Sequence, residues 1–108
     1  MTRYDITLHR GETVLIPMRI KRDGVPVDLT DWSGSCQVKT HPDGGELILR
    51  IDVIFDLTEQ KVILMATDDE TAEIPSGVYA WDLKLSDPDD IVRYIVGGAF
   101  KVLPVVTE

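Results

Sequence analysis

The chain has 108 residues, of which 44% are hydrophobic and 28% charged, and this length and composition predict one packed domain over residues 1–108 and exclude a second. Its 11 basic and 19 acidic residues give a formal net charge of −8, which argues against a nucleic-acid partner because phosphate backbones are bound by clustered Lys and Arg. The chain has one Cys, so no intrachain disulfide is expected, and no apolar run has the length of a signal-peptide core or of a membrane span.

The first two strands are predicted over residues 3–9 and 13–21, where apolar residues alternate with others. Pro17 interrupts the second of them. Because proline has no N–H to donate to a ladder, this strand is expected to lie at a sheet edge or to carry a bulge. Asp23 and Gly24 both tolerate a positive φ, so they predict a tight hairpin turn after the strand.

The middle of the chain continues with short strands and turns. An irregular turn that contains Trp32 leads into a strand over residues 33–40, whose inward-facing residues are predicted to be Cys36 and Val38. Residues 46–55 form the longest apolar stretch, and both of its faces carry apolar side chains. Part of this strand is therefore expected to be covered on both faces.

One short helix is predicted after a further strand over residues 61–66. Thr67 and Glu70 have the spacing of a capping box, in which each residue satisfies a backbone N–H of the other. Pro75 and Gly77 end the helix within about two turns, because neither residue continues a helix well. The helix is therefore expected to be a crossover between strands and not a layer of its own.

The chain ends in a predicted hairpin formed by residues 78–85 and 91–106 around an acidic turn. The apolar residues of the second arm are expected to share one face: Val92, Tyr94, Val96, Phe100 and Val102. Seven short strands, one short helix and turns about every ten residues together predict an all-β fold. We expect an immunoglobulin-like antiparallel β-sandwich of about seven strands with one short helical crossover, and a small closed barrel is the alternative.

The residues that could carry chemistry have structural interpretations. Cys36 lies on a predicted inward face, where a thiol is more often inert packing than a nucleophile. The acidic loop that contains Asp87, Asp89 and Asp90 could bind calcium. It lacks the spacing of a calcium loop, and a hairpin turn capped by Asp87 is the favoured interpretation. No catalytic residue, cofactor-binding residue or metal ligand is therefore predicted.

The aromatic residues have two possible roles. Tyr79 and Trp81 share a face with Leu83 and Leu85, and exposing that whole stripe would leave a large apolar surface uncovered. The stripe is therefore predicted to be core and not a sugar-binding platform. Trp32 lies in a turn and is the better candidate for a partly exposed aromatic, although plugging one end of the sandwich is its favoured role.

Three segments together resemble a known family: "DITLHRGETVLIPMRIKRDGVPVDLTDW", "IPSGVYAWDLKL" and "GGAFKVLPVVT". Their order and spacing are similar to those of small structural proteins of tailed phages and prophages, including the N-terminal domain of baseplate upper proteins. The resemblance spans nearly the whole chain. It implies an immunoglobulin-like sandwich without catalytic residues that binds other virion or tail proteins as a homo-oligomer.

We therefore expect a non-enzymatic virion structural protein of a phage or prophage, made in the cytoplasm of the host bacterium. A chain that stops at Glu108 favours a stand-alone tail, baseplate or neck component. The free edges of an open sandwich would be its contact sites, above all the strand with Pro17 and the segment over residues 2–7. A carbohydrate-binding module that uses Trp32 or the pair of Tyr79 and Trp81 is the alternative function, and a small enzyme or metal protein is a third.

Overall fold

The computed structural model describes residues 2–106, and this part of the chain forms ten strands and one short helix. In chain order these are β1 (Thr2–Arg3), β2 (Ile6–His9), β3 (Val14–Met18), β4 (Lys21–Arg22), β5 (Val25–Pro26), β6 (Ser33–Lys39), β7 (Leu47–Asp56), β8 (Lys61–Ala66), α1 (Asp68–Ala72), β9 (Gly77–Ser86) and β10 (Val92–Leu103). The helix is far too short to cross a membrane, and none over residues 2–106 is long and apolar enough to do so.

The main sheet is curled into two facing layers. Its strand order is β1-β10-β9-β6-β7-β8-β3, and β2 also pairs with β10. Strand β7 belongs to both layers, because Ile51 pairs with Cys36 of β6 whereas Asp52 pairs with Met65 of β8. The sheet has seven strands when β1 and β2 are counted as one interrupted strand. The short β4–β5 hairpin stands apart from it.

The all-β prediction and the single short helix are confirmed. The orders β6-β9-β10 and β3-β8-β7 are the C-F-G and B-E-D orders of an immunoglobulin sandwich. Tyr79 near the start of β9 donates its hydroxyl hydrogen to the Pro75 carbonyl oxygen at 2.6 Å. A tyrosine in this position that bonds to upstream backbone is the tyrosine corner of that fold.

Two details differ from the sequence-based expectation. The sheet is mixed and not wholly antiparallel, because β1 and β2 both run parallel to β10. In β10 an irregularity in the register between Tyr94 and Val96 reverses the side-chain alternation. Val96 is therefore 6% exposed whereas Tyr94 is 57% and Val92 is 52% exposed, so the prediction that all three face the core is wrong.

The turn and cap predictions are confirmed. Asp23 and Gly24 have φ values of 53° and 80°, as a tight turn between β4 and β5 requires. The Thr67 hydroxyl oxygen accepts the Glu70 N–H at 3.2 Å, and the Glu70 carboxylate accepts the Thr67 N–H at 3.0 Å. These two bonds form the predicted capping box and begin α1.

The core fills the space between the two layers. Its fully buried members include Val38 and Leu64 from strands and also Leu29 and Ile74 from connecting segments. Leu29 is held because its N–H donates to the Gln60 side-chain oxygen at 2.7 Å. Burial of this kind stabilises the fold by about 1.5 to 3 kcal/mol for each large apolar side chain.

Candidate interaction surfaces

The aromatic pair of β9 is structural. Trp81 is 3% exposed, and its indole N–H donates to the Tyr4 carbonyl oxygen at 2.8 Å. The ring of Tyr4 packs edge-on against the Trp81 ring with centroids 6.5 Å apart. Tyr79 is half-buried and its hydroxyl is bonded to the Pro75 carbonyl. The prediction that this stripe belongs to the core is confirmed, and Trp81 is not accessible as a binding platform.

Trp32 is partly buried and packs against the core, as the plug interpretation predicts. The turn before it is irregular, because Asp31 has a φ of 64° and the Trp32 N–H donates to the Leu29 carbonyl at 3.2 Å. Asp28 stabilises the same turn by accepting the Thr30 N–H at 3.0 Å. The segment therefore fixes Leu29 and Trp32 against the core.

Cys36 is 2% exposed, and burial followed by the nearby Asp82 charge raises the pKa of its thiol to about 12. Such a thiol is protonated at neutral pH, and a protonated thiol is a poor nucleophile. In the acidic loop the Asp87 carboxylate accepts the N–H groups of Asp89 at 2.9 Å and of Ile91 at 3.0 Å. Asp87 therefore caps the turn, as predicted. Within residues 2–106 no cluster of three or more His, Cys, Asp or Glu side chains is arranged to hold a metal ion.

The turn between β2 and β3 is fastened to α1. Arg10 donates from Nε to the Ala72 carbonyl at 2.8 Å, and the buried Thr71 hydroxyl donates to the Glu12 carbonyl at 2.7 Å. The Glu12 carboxylate accepts from the His9 N–H and lies 2.8 Å from the His9 ring Nδ1. These bonds lower the pKa of Glu12 below its usual range, and the bond from the His9 backbone N–H has the largest effect. The polar residues of this turn therefore hold the fold together.

Strands β2 and β3 form the two ends of the curled sheet. Each is paired on one side only, with β10 and β8 respectively. Pro17 lies in β3 opposite Ile63, so the prediction that its strand is an edge is confirmed. The facing edges border a groove of about 370 Å³ lined by residues 4–8 and 12–16. The segment over residues 2–7, the other predicted contact site, therefore also lies at an edge.

The outer surface of the β3-β8-β7 layer carries an apolar patch, bordered by Asp52 on one side and by the Asp56 and Lys61 pair on another. Two rows of side chains cross it in register, one pairing Leu15 with Met65 and the other pairing Pro17 with Ile63 and Ile63 with Ile54. Leu15 is 62% exposed and Ile54 is 42% exposed. We call these five side chains the apolar face.

The outer surface of the opposite layer is basic. Strand register places one basic side chain from each of five strands on it, and we call these residues the basic face: Arg3, Lys39, Arg50, Lys84 and Lys101. Ala80 and Ala99 are opposite each other on β9 and β10, and their small side chains leave a concavity of about 500 Å³. Its rim includes Arg3, Lys39 and the exposed Tyr94.

Neither face was predicted. The apolar face could have been suspected from the double-sided apolar pattern of residues 46–55, whose outward side chain Ile54 belongs to it. The basic face has no local signal, because its residues are spread over five strands and each is flanked by ordinary strand sequence. No protein-family model matches the chain, and no curated protein is significantly similar to it in sequence.

Proposed function

We propose that the protein is a non-enzymatic structural component of a phage or prophage virion, belonging to the tail, baseplate or neck. It acts by binding other virion proteins and copies of itself. The host bacterium synthesises it in the cytoplasm, and it is then incorporated into the particle. The resemblance of its motifs to small phage structural proteins supports the class, and the apolar face supports the mode of action.

The apolar face is the observation that carries this proposal. Its side chains are contiguous, because the Leu15 and Met65 row lies directly beside the row formed by Pro17, Ile63 and Ile54. Large contiguous apolar surfaces on a folded domain mark protein or membrane contacts, and isolated exposed apolar residues do not. The face also adjoins the free edge of β3, which offers backbone donors and acceptors beside it.

Three residues of the types that could support catalysis have structural roles in this fold. The Cys36 thiol is buried beside Leu83 in the register of β6 and β9, and Asp87 satisfies backbone N–H groups of its own turn. Glu12 is engaged by His9. These assignments support a binding function, since each group contributes to the scaffold and not to an open reactive site.

Two of the motifs that carry the resemblance also have scaffold roles. The Asp23-Gly24 step forms the β4–β5 turn, and the Gly77-Val78-Tyr79 step forms the tyrosine corner. A family of assembly proteins would retain such positions because they determine the sandwich on which variable contact surfaces lie. The scaffold roles of these two motifs therefore support the proposed class of protein. The contacts with partner proteins depend instead on the exposed faces.

The proposal is tested on purified particles from an induced host. We expect mass spectrometry to find the chain in them, and antibody labelling in electron microscopy to place it at one structure of the tail or neck. The variant Leu15→Glu/Ile54→Glu should fold but be lost from particles, because charges in an apolar contact are costly to desolvate. The matched control Val25→Glu/Leu57→Glu changes residues that are 64% and 47% exposed and lie outside the apolar face. Absence of the wild-type chain from particles would overturn the proposal.

A carbohydrate-binding module is the second candidate, and one observation favours it. Tyr94 is 57% exposed and borders a concavity whose rim also offers Gln37, His41 and Asp82 as hydrogen-bonding groups. Aromatic faces beside polar side chains are suited to sugar rings. A glycan array with wild-type protein and Tyr94→Ala tests it, and binding that Tyr94→Ala abolishes would support this candidate over the first.

A further inference from the structure

The charge of the basic face contrasts with that of the whole chain. The protein has 11 basic and 19 acidic residues, yet five of the basic residues lie on this one surface. Asp82 lies among them, opposite Gln37 and Gly97 in the ladders, and Asp52 follows Arg50 on the same side of β7 at the margin of the face. Within residues 2–106, Lys39, Arg50, Lys84 and Lys101 form no ion pair, whereas Arg3 pairs with Asp5 at 3.2 Å. The face therefore offers positive charge to a negatively charged partner.

The chain itself carries a surface of the opposite charge at the tip of the β9–β10 hairpin. Asp87 caps the turn, but Asp89 and Asp90 are exposed and their carboxylates form no hydrogen bond within residues 2–106. The turn is ordered, because the Asp90 N–H donates to the Asp87 carbonyl at 2.9 Å. Ile91 beside it is 48% exposed. We call Asp89, Asp90 and Ile91 the acidic tip.

The acidic tip and the floor of the concavity, formed by Ala80 and Ala99, lie toward opposite ends of the same hairpin. Ala80 lines the concavity, and Asp87 begins the turn seven residues later along the extended strand β9. At about 3.3 Å for each residue this separation is roughly 23 Å. Tyr94 on the rim is only three residues from Ile91, but the tip of one molecule cannot reach the Ala80 end of its own concavity, whereas the tip of a second molecule can.

We propose that the acidic tip of one copy docks in the concavity of the basic face of the next copy, so that the protein associates head to tail. Asp89 and Asp90 then meet Lys39 and the neighbouring basic side chains, and Ile91 packs against Tyr94. This deepens the proposed assembly function and rests on it. Because the two contacting surfaces differ, the contact is heterologous and repeats until it closes into a ring or extends as a filament.

The physical character of this contact predicts its salt dependence. The opposed charges are partly exposed, so their attraction is modest and is screened within about 10 Å at 0.1 M salt. Association should therefore be strongest at low ionic strength. Placing like charges opposite each other is costly and blocks association, so charge reversal is a sensitive test.

The test uses two charge-reversal variants of the full chain in sedimentation velocity experiments. Asp89→Lys/Asp90→Lys gives a basic tip and leaves the basic face unchanged, whereas Lys39→Glu/Arg50→Glu gives an acidic face and leaves the tip unchanged. Each variant alone should associate at least about tenfold more weakly than wild type, because like charges then meet. An equimolar mixture should associate again, because the basic tip of one variant matches the acidic face of the other.

The matched control is Asp69→Lys/Glu73→Lys, which changes the net charge as much as the tip variant does but at exposed acids of the α1 segment, outside the tip, the basic face and the apolar face. It should associate like wild type. Wild-type association that survives both reversals, or variants that do not complement each other, would overturn the head-to-tail contact while leaving the particle test of the proposed function intact. A wild-type protein that stays monomeric at low salt, or that binds a glycan or a polyanion at this face without self-association, would also overturn it.

Discussion

The Trp81 indole N–H donates a hydrogen bond of 2.8 Å to the Tyr4 carbonyl oxygen, and this bond joins β9 to the start of the chain. Tyr4 in turn donates its N–H to the Gly97 carbonyl at 2.9 Å. The N-terminal segment is therefore held at the point where β1 ends and β2 has not yet begun. Trp81, which the sequence places in the core, therefore contributes a side-chain bond to an attachment that the ladders of β1 and β2 with β10 also hold.

We expect Trp81→Phe to lower the free energy of unfolding by about 1 to 3 kcal/mol, because it removes this hydrogen bond and part of the buried ring. Hydrogen exchange should accelerate most at the amides of residues 4–9, which the bond holds against β10. Trp32→Phe is the matched control, since it makes the same exchange at a partly buried tryptophan that precedes β6 and takes no part in this contact. Equal acceleration in both variants would show that the bond does not hold the N-terminal segment.

A second prediction concerns Gly98, which approaches the same segment closely. A Cβ atom on Gly98 would lie 2.5 Å from an Asp5 carboxylate oxygen and 2.8 Å from the Tyr4 carbonyl oxygen. Because Gly98 does not have a positive φ, the cost of Gly98→Ala is steric and not conformational. We expect it to destabilise the protein by about 1 to 3 kcal/mol in urea unfolding. Ala80→Ser adds one atom to the open outer face of the same hairpin and should be nearly neutral, and equal effects of the two would contradict the steric account.

The strands could be predicted from the sequence because alternation with period two depends on local residue order. Cys36 and Val38 face inward as expected, and the capping box of Thr67 and Glu70 begins the helix as expected. The register irregularity before Val96 could not be predicted, since it depends on how β10 matches β9 and not on its own pattern. The parallel pairing of β2 with β10 joins residues about ninety positions apart and leaves no local signal.

The apolar face and the basic face were even harder to predict from the sequence. Leu15 and Ile54 lie far apart in the chain, and β8 lies between their strands. Only the side chains of β8 join them into one surface. The basic face requires the register of four ladders before Arg3 and Arg50 belong to one surface. The acidic tip, by contrast, is contiguous in sequence, and the sequence predicted its turn correctly but not a surface of opposite charge for it to meet.

A third prediction follows from the carboxylate of Asp5. The Ala99 N–H that it accepts, at 2.9 Å, is the main cause that lowers the pKa of Asp5 below its ordinary value of 3.8, and Arg3 contributes further. A lowered pKa in the folded state means that the carboxylate stabilises the fold above the unfolded pKa. This contribution is lost as the pH falls through the lowered value. We therefore expect urea midpoints to decrease as the solution is acidified below about pH 4.

Asp5→Asn should make the decrease of the urea midpoint with falling pH less steep, because the amide oxygen still accepts the Ala99 N–H but does not titrate. The change is partial, since the pKa values of Glu12 and Asp28 are also lowered by hydrogen bonds. Asp43→Asn removes an exposed acid in a turn and controls for net charge. A urea midpoint that decreases with pH as steeply in Asp5→Asn as in wild type would contradict the assigned role of Asp5.

The last prediction concerns the reactivity of Cys36. Burial, with a further contribution from the Asp82 charge, raises the pKa of the thiol to about 12, so very little thiolate is present in the folded protein at pH 8. In the unfolded chain a cysteine has a pKa near 8.5 and is readily alkylated. We expect iodoacetamide to modify native Cys36 at least about a hundredfold more slowly than Cys36 in urea. A Ser35→Cys/Cys36→Ala variant moves the thiol to the outward position beside it and should react at nearly the unfolded rate. Rapid modification of the native wild-type thiol would show that the space between the two layers opens to solvent.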